Sequence, residues 1–502
     1  MGINKKNDTI IFLTIGLIWG VLNNVSIHST ILSLFVGVSG YGVVFFYILN
    51  KKSIEAFKYF MLFTVLSVES DTFVTGDSSI SIERWSFLRL PLLEGHLYIL
   101  CLIVLYFLVR EHNRKIKLTN DKCIKLRKWL FLFLITGIIS IIIGMSVNDN
   151  GIMNWEYYPK LAISQLISFL PLFFIFLTSI EITKSKHDKE IIKKTCELLL
   201  IIVAITIFVS VFVFGVTGLY GDHAIMMGPL SIALTPILIA FYFYKDCHFR
   251  FYCLLAGLLI FGGSLIYGTA IGSKWYIILL VAVLELIVLA TGFKSVVNVV
   301  VIGLVSLLLV TSFAEPILNM IGNDYISWKL SQTLNLLSFS GESGGDWYAG
   351  LDHSTLYRLD EPNNVLIEYS KKPWFALFGK GFGGTTLHHT NILLWEFDKG
   401  AFSFDQVRMG AYYHLHESLA IILLRHGFLG VVFMGITIVN LFKKLSTTPW
   451  AMISLVWFVF YWSYGIALTI GAVSLVIIYS EDSAAYNKKT FNKKGEILNS
   501  WI

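Results

Sequence analysis

His416 is followed by Glu417, nine further residues and a G-x-x-G element formed by Gly427 and Gly430. Imidazole titrates near neutrality, so a histidine held at a water boundary can take a proton from a hydroxyl group. At about 100° per helical residue, Gly427 lies about 20° and Gly430 about 40° from the meridian of His416. One helix face would then open on an imidazole and continue as a smooth glycine surface against which a second helix can pack closely. A plain packing seam with an interfacial histidine fits the same spacing. His388, His389, His414, His416 and Glu417 also raise the question of zinc, but no pair among them has the spacing of a known catalytic motif. An Asp-x-Asp pair for a metal-dependent reaction is missing from the outer loops; Glu69-Ser70-Asp71 and Glu396-Phe397-Asp398 come nearest and read as solvated loop ends.

The elements that must position these residues are set by composition. Of the 502 residues, 56% are hydrophobic and 14% charged, which is too apolar for an ordinary soluble protein. Apolar runs recur at 10–25, 30–49, 57–68, 86–109, 129–147, 161–180, 196–217, 229–244, 251–271, 275–293, 296–313, 416–442 and 449–480. They are continuous rather than alternating, so they predict helices and exclude the strands of a membrane barrel. The expected class is an all-α polytopic membrane protein of about 14 transmembrane helices (12 to 14), counting 449–480 as two crossings; 13 crossings or a re-entrant end is the alternative. The first run lacks a small-residue cleavage site and reads as the first helix, not as a removed signal.

Orientation follows from the short loops that carry Lys and Arg. Lys5 and Lys6, Lys51 and Lys52, the segment 110–128, the segment 181–194, Lys245 with Arg250, Lys294, and Lys443 with Lys444 fall on one side, taken as the cytoplasm. The formal charge of +6 resides mostly there, which is a topology signal and gives no reason to expect nucleic acid. The tail 481–502, with Lys488, Lys489, Lys493 and Lys494, belongs to the same side. Residues 1–314 are thus read as helices 1 to 11, 315–415 as a large outer loop, and 416–480 as the C-terminal helices.

A loop of about 100 residues exceeds what a connection requires and is expected to be functional. It contains Trp328, Trp347, Trp374 and Trp395, a stretch NNVLIEYS suited to a short helix, and the turn GKGFGG at 379–384. Trp347, Tyr348, Trp374, Tyr412 and Tyr413 offer flat faces to sugar rings, although aromatic residues also collect at membrane interfaces for physical reasons. None of the five cysteines lies in the loop, so it has no disulfide of its own. Arg89 and His96, seven apart, share a helix face with Glu94 nearby at a depth where polar groups face a cavity or one another.

His416, one polar residue, nine residues and then Gly427-Phe428-Leu429-Gly430 resembles the signature of the bacterial O-antigen polymerase and O-antigen ligase superfamily, the Wzy-type membrane glycosyltransferases. Upstream, Arg358 followed by Pro373 and Gly379-Lys380-Gly381 resembles that family's order of Arg, Pro and G-x-G in its large periplasmic loop. Ser273-Lys274 resembles its Ser-Arg pair at an outer helix end. Glu417 stands where the family has an amide or hydroxyl, and Lys274 where it usually has Arg. Lys keeps the charge but loses the planar bidentate contact.

The resemblance implies metal-independent, inverting transfer of a glycan from an undecaprenyl pyrophosphate carrier to a sugar hydroxyl at the periplasmic face of the inner membrane. His416 would act as base, while Arg358, Lys274 and Arg89 would hold the pyrophosphate, with Glu417, Gly427 and Gly430 supporting. As structural alternatives, Arg89 is a snorkelling residue, Lys274 a helix-end anchor and Arg358 a partner in a loop ion pair. Polymerisation of repeat units, in O-antigen, capsular or exopolysaccharide form, leads over ligation of polymer to a lipid A core. A lipid-linked oligosaccharide flippase is the reading from another class, but it predicts duplicated halves that this chain lacks. The partners expected are lipid-linked oligosaccharides, membrane lipid and a chain-length regulator.

Overall fold

The computed structural model describes residues 2–26, 29–71, 87, 99–115, 124–147, 158–213, 229–244, 246–267, 353–390, 402, 404–413, 415, 418–445, 447–460 and 470–480. The helices in the first part are α1 (Gly2–Val25), α2 (Thr30–Leu49), α3 (Ser53–Asp71), α4 (Ile99–Lys115), α5 (Ile124–Val147), α6 (Tyr158–Ile182), α7 (Lys186–Phe208), α8 (Pro229–Phe241) and α9 (Arg250–Tyr267). The second part contains α10 (His353–Lys371), α11 (Trp374–Phe378), α12 (Phe404–Met409), α13 (Ser418–Phe442), α14 (Pro449–Phe460) and a last apolar helix, α15 (Ile470–Ser480). Outside helices, the described residues pair as strand only at one bridge, Thr386 to Tyr412.

Among the described residues, four stretches are long and apolar enough to cross a bilayer: Asp8–Val25, Ile31–Leu49, Leu126–Ile143 and Ser418–Phe442. Their outward faces explain the composition. On α2, Ile31, Phe35, Val38, Phe46 and Leu49 project outward, Ile31 being 82% exposed. Phe131, Ile135, Ile138 and Ile142 on α5, and Phe428, Val432, Ile436 and Val439 on α13, repeat the three-and-four spacing of one helix face. Large side chains left in such stripes would be costly in water and are at home in lipid.

Inside the bundle, small residues and a few polar bonds fix the packing. Gly16 and Gly20 of α1 lie one turn apart; a Cβ on either would meet Ile202 at 2.9 Å or Thr206 at 2.8 Å, so α1 and α7 approach closely there. Asn24 Nδ2 donates to Ser210 Oγ (2.9 Å) where α7 continues as a π-helical segment, Val209–Val213. Trp19 Nε1 donates to the Val36 carbonyl at 3.0 Å, joining α1 to α2. Ser185 caps α7 by accepting from Asp188 N, which ends the basic loop in a defined helix start.

The basic loops assigned to one side meet one another. Ser53 Oγ bonds His112 Nδ1 (3.3 Å), Arg127 pairs with Glu181 (2.8 Å), His248 N donates to Glu197 (2.7 Å), and Tyr244 Oη donates to the Leu445 carbonyl (2.5 Å). α11 and the glycine turn that follows it meet α5 at Ser140 and α6 at Gln165, and with α10 they position the candidate site. In α10 the expected short helix over NNVLIEYS extends to 19 residues despite Pro362. The run 449–480 contains two short helices, α14 and α15, of 12 and 11 residues.

Candidate functional site

α10 carries a polar ladder that sequence reasoning passed over. Asp360, Asn364 and Glu368 recur every fourth residue and therefore share one face; all three are buried. Together they fold the chain that leaves the GKGFGG turn. Thr390 Oγ1 donates to Asp360 Oδ1 (2.5 Å), and the amides of His389 and Thr390 donate to Asn364 Oδ1 at 2.6 and 3.1 Å. Glu368 accepts from the Leu387 amide (2.5 Å), faces His389 Nε2 (3.2 Å) and pairs with Lys380. Lys380 Nζ also donates to the Thr385 carbonyl at 2.6 Å. Burial pushes the Lys380 ammonium below its ordinary value, and the Glu368 carboxylate opposes that push. A buried pair with its remaining valences satisfied in this way anchors a unique loop conformation.

The anchored turn enters a gap in α13. Gly427 has φ 60° and ψ −158°, which interrupts the helix. Helical hydrogen bonds at the carbonyls before it are replaced from outside. Tyr369 Oη donates to Leu423 O (2.6 Å), Lys380 N to Leu424 O (2.7 Å) and Gly381 N to Arg425 O (3.0 Å). Just before the turn Ser140 Oγ donates to Phe378 O (3.0 Å), and within it Gly383 N donates to Gln165 Oε1 (2.9 Å), tying the same segment to α5 and α6. Irregular backbone among apolar helices is tolerable only when its polar groups are paired in this way.

The expectation of one continuous face from His416 to Gly430 is therefore corrected. α13 begins at Ser418 and changes direction at Gly427, so angles counted through that residue do not hold. The close approach foreseen for the glycines exists at Gly427, and its partners are the backbone of the short helix α11, at Ala376 and Leu377, and Gly379 at the start of the GKGFGG turn. Gly430 makes room within α13 itself: a Cβ there would meet His426 Cβ at 2.6 Å and Ile422 Cγ2 at 2.8 Å.

Of the sequence-predicted site residues, Arg89, Lys274, His416 and Glu417 lie outside the described residues. So do Glu94, His96, His414, Trp328, Trp347, Tyr348 and Trp395. Arg358 lies near the start of α10, partly exposed and roughly 120° around the helix from the centre of the polar ladder. Trp374 is exposed, as a sugar platform requires, whereas Tyr412 is buried against Phe402 with ring centroids 4.6 Å apart and offers no free face. Among the described residues no three His, Cys, Asp or Glu side chains converge as a metal site.

Sequence reading also missed Arg425 and His426, which directly precede the break. His426 is buried, its Nδ1 3.3 Å from Thr136 Oγ1, with Phe133 and Phe382 rings around it. The signal was present in the tripeptide Arg-His-Gly inside a run otherwise apolar from Leu419 to Met434. Polar groups in such a run mark function or a helix interruption more often than lipid contact.

Fold and site together define a helical protein with apolar helices suited to a membrane and an interrupted helix closed by the glycine turn at 379–384. No family model matches the chain, and comparisons with curated proteins and with solved structures gave no match either.

Proposed function

We propose that the protein is an O-antigen or related polysaccharide polymerase of the inner membrane, working at its periplasmic face. The observation that carries this reading is the docking of Gly379-Lys380-Gly381 on the helix break at Gly427. These are the two glycine elements of the family resemblance, distant in sequence, and they form one unit in which each supplies what the other lacks. That unit fixes the first segment of α13, which starts two residues after His416.

In this reading the acceptor is the next lipid-linked repeat unit. His416 takes the proton of the acceptor hydroxyl as its oxygen attacks the anomeric carbon of the donor from the face opposite the carrier. The new glycosidic C–O bond forms, the anomeric carbon to phosphate-oxygen bond breaks, and the electron pair leaves on undecaprenyl pyrophosphate. Arg358, Lys274 and Arg89 offset the charge that develops on the leaving group. Removing a general base typically lowers such a rate by about 100-fold to 10,000-fold.

Expression of His416→Ala in cells lacking the wild-type protein tests the assignment. The expected result is lipopolysaccharide bearing a single repeat unit at normal protein levels. Chains of ordinary length would sink the base assignment. Bare core with polymer accumulating on the carrier would instead identify a ligase.

A further inference from the structure

Arg425 sits eight residues into the apolar helix α13, immediately before its interruption. Its Nε is enclosed and makes no hydrogen bond within the described structure, and the side chain forms no ion pair with a described residue. The nearby acceptors are already engaged. Leu423 O and Leu424 O accept from Tyr369 and Lys380, Arg425 O accepts from Gly381, and Glu368 is bound by Lys380, His389 and Leu387. A guanidinium cannot shed its proton to escape burial. A cation in a membrane helix that has an enclosed, unbonded Nε and no ion pair among the described residues is costly, and it marks a site that a charge of opposite sign completes. Partial exposure of the side chain leaves a route by which an anion can arrive.

We propose that Arg425 is an anion-binding residue that takes a phosphate or pyrophosphate group carried on a lipid. The planar guanidinium fork suits two phosphate oxygens at once. The identification of the lipid as a polyprenyl pyrophosphate rests on the glycosyltransferase reading; the anion site does not.

The test uses the full chain in nanodiscs of phosphatidylcholine, titrated with farnesyl pyrophosphate, inorganic pyrophosphate or phosphatidylglycerol and followed by native mass spectrometry. Wild type is expected to retain farnesyl pyrophosphate, and Arg425→Gln to bind it about tenfold or more weakly. Equal retention by both proteins would overturn the proposal. Arg425-dependent retention of phosphatidylglycerol alone would keep the anion site and remove its support for the glycosyltransferase reading. Retention of inorganic pyrophosphate as tight as that of the lipid would overturn the lipid-borne assignment. A folding readout guards against a merely structural role: without ligand, Arg425→Met is expected to melt no lower than wild type, since it removes an uncompensated charge, and to gain no stability from farnesyl pyrophosphate. A markedly lower melting point for Arg425→Met without ligand would show that the guanidinium has a structural partner and would overturn the proposal.

Discussion

Gly379 and Gly427 touch backbone to backbone. A Cβ on Gly379 would lie 2.5 Å from the Gly427 nitrogen, and a Cβ on Gly427 would lie 2.5 Å from the Gly379 nitrogen. Both residues also have positive φ, 73° and 60°. An alanine at either position thus meets two obstacles at once: a left-handed backbone and no room for its methyl group. Gly379→Ala or Gly427→Ala is expected to cost about 2 to 4 kcal/mol. Thermal unfolding in detergent, read by the loss of the monodisperse peak on size exclusion, checks this. A variant as stable as wild type would show that the turn can withdraw from the helix.

The ion pair of Glu368 and Lys380 is fully buried, so its two halves should behave unequally alone and together. Glu368→Leu or Lys380→Met leaves an uncompensated buried charge and is expected to cost about 3 to 5 kcal/mol, whereas the double replacement should recover much of that loss. A double-mutant cycle on unfolding in denaturant measures the coupling. Additive losses would mean that each residue acts through other partners.

Tyr369 contributes one donor to the carbonyls before the break, at 2.6 Å to Leu423 O and 3.2 Å to Leu424 O. Tyr369→Phe keeps the ring in place and removes that donor. The expected loss is about 1 to 3 kcal/mol, because the acceptor is buried. A circular dichroism melt compared with Gly427→Ala would rank the two; equal losses would argue that Tyr369 is the main replacement for the missing helical bonds.

Much of the architecture was legible because apolar helices state themselves in composition, and because loops rich in Lys and Arg turned out to touch one another, as Arg127 and Glu181 do. The helix over NNVLIEYS was legible for the same local reasons. The interruption of α13 was not. Gly427 lies in an apolar run whose spacing fits an unbroken helix, and the donors that make a break affordable come from Lys380 and Gly381, far away in sequence. The ladder of Asp360, Asn364 and Glu368 was visible as a spacing, but its neighbours Glu361 and Asn363 are polar too, so no single face stood out before the loop was seen to wrap it.

Sidedness can be checked without reference to catalysis. His187 is exposed on the end where the basic loops meet, while Ser370 is exposed at the end of α10, on the large loop. Those positions are predicted to face opposite compartments, since Lys and Arg collect in cytoplasmic loops. In a cysteine-free background, His187→Cys should react with a membrane-impermeant maleimide only after the cells are opened. Ser370→Cys should react once the outer membrane alone is permeabilised. Labelling of both under the same condition would place the glycine turn and the basic loops on one side, and a periplasmic reaction at His416 would then have no topological basis.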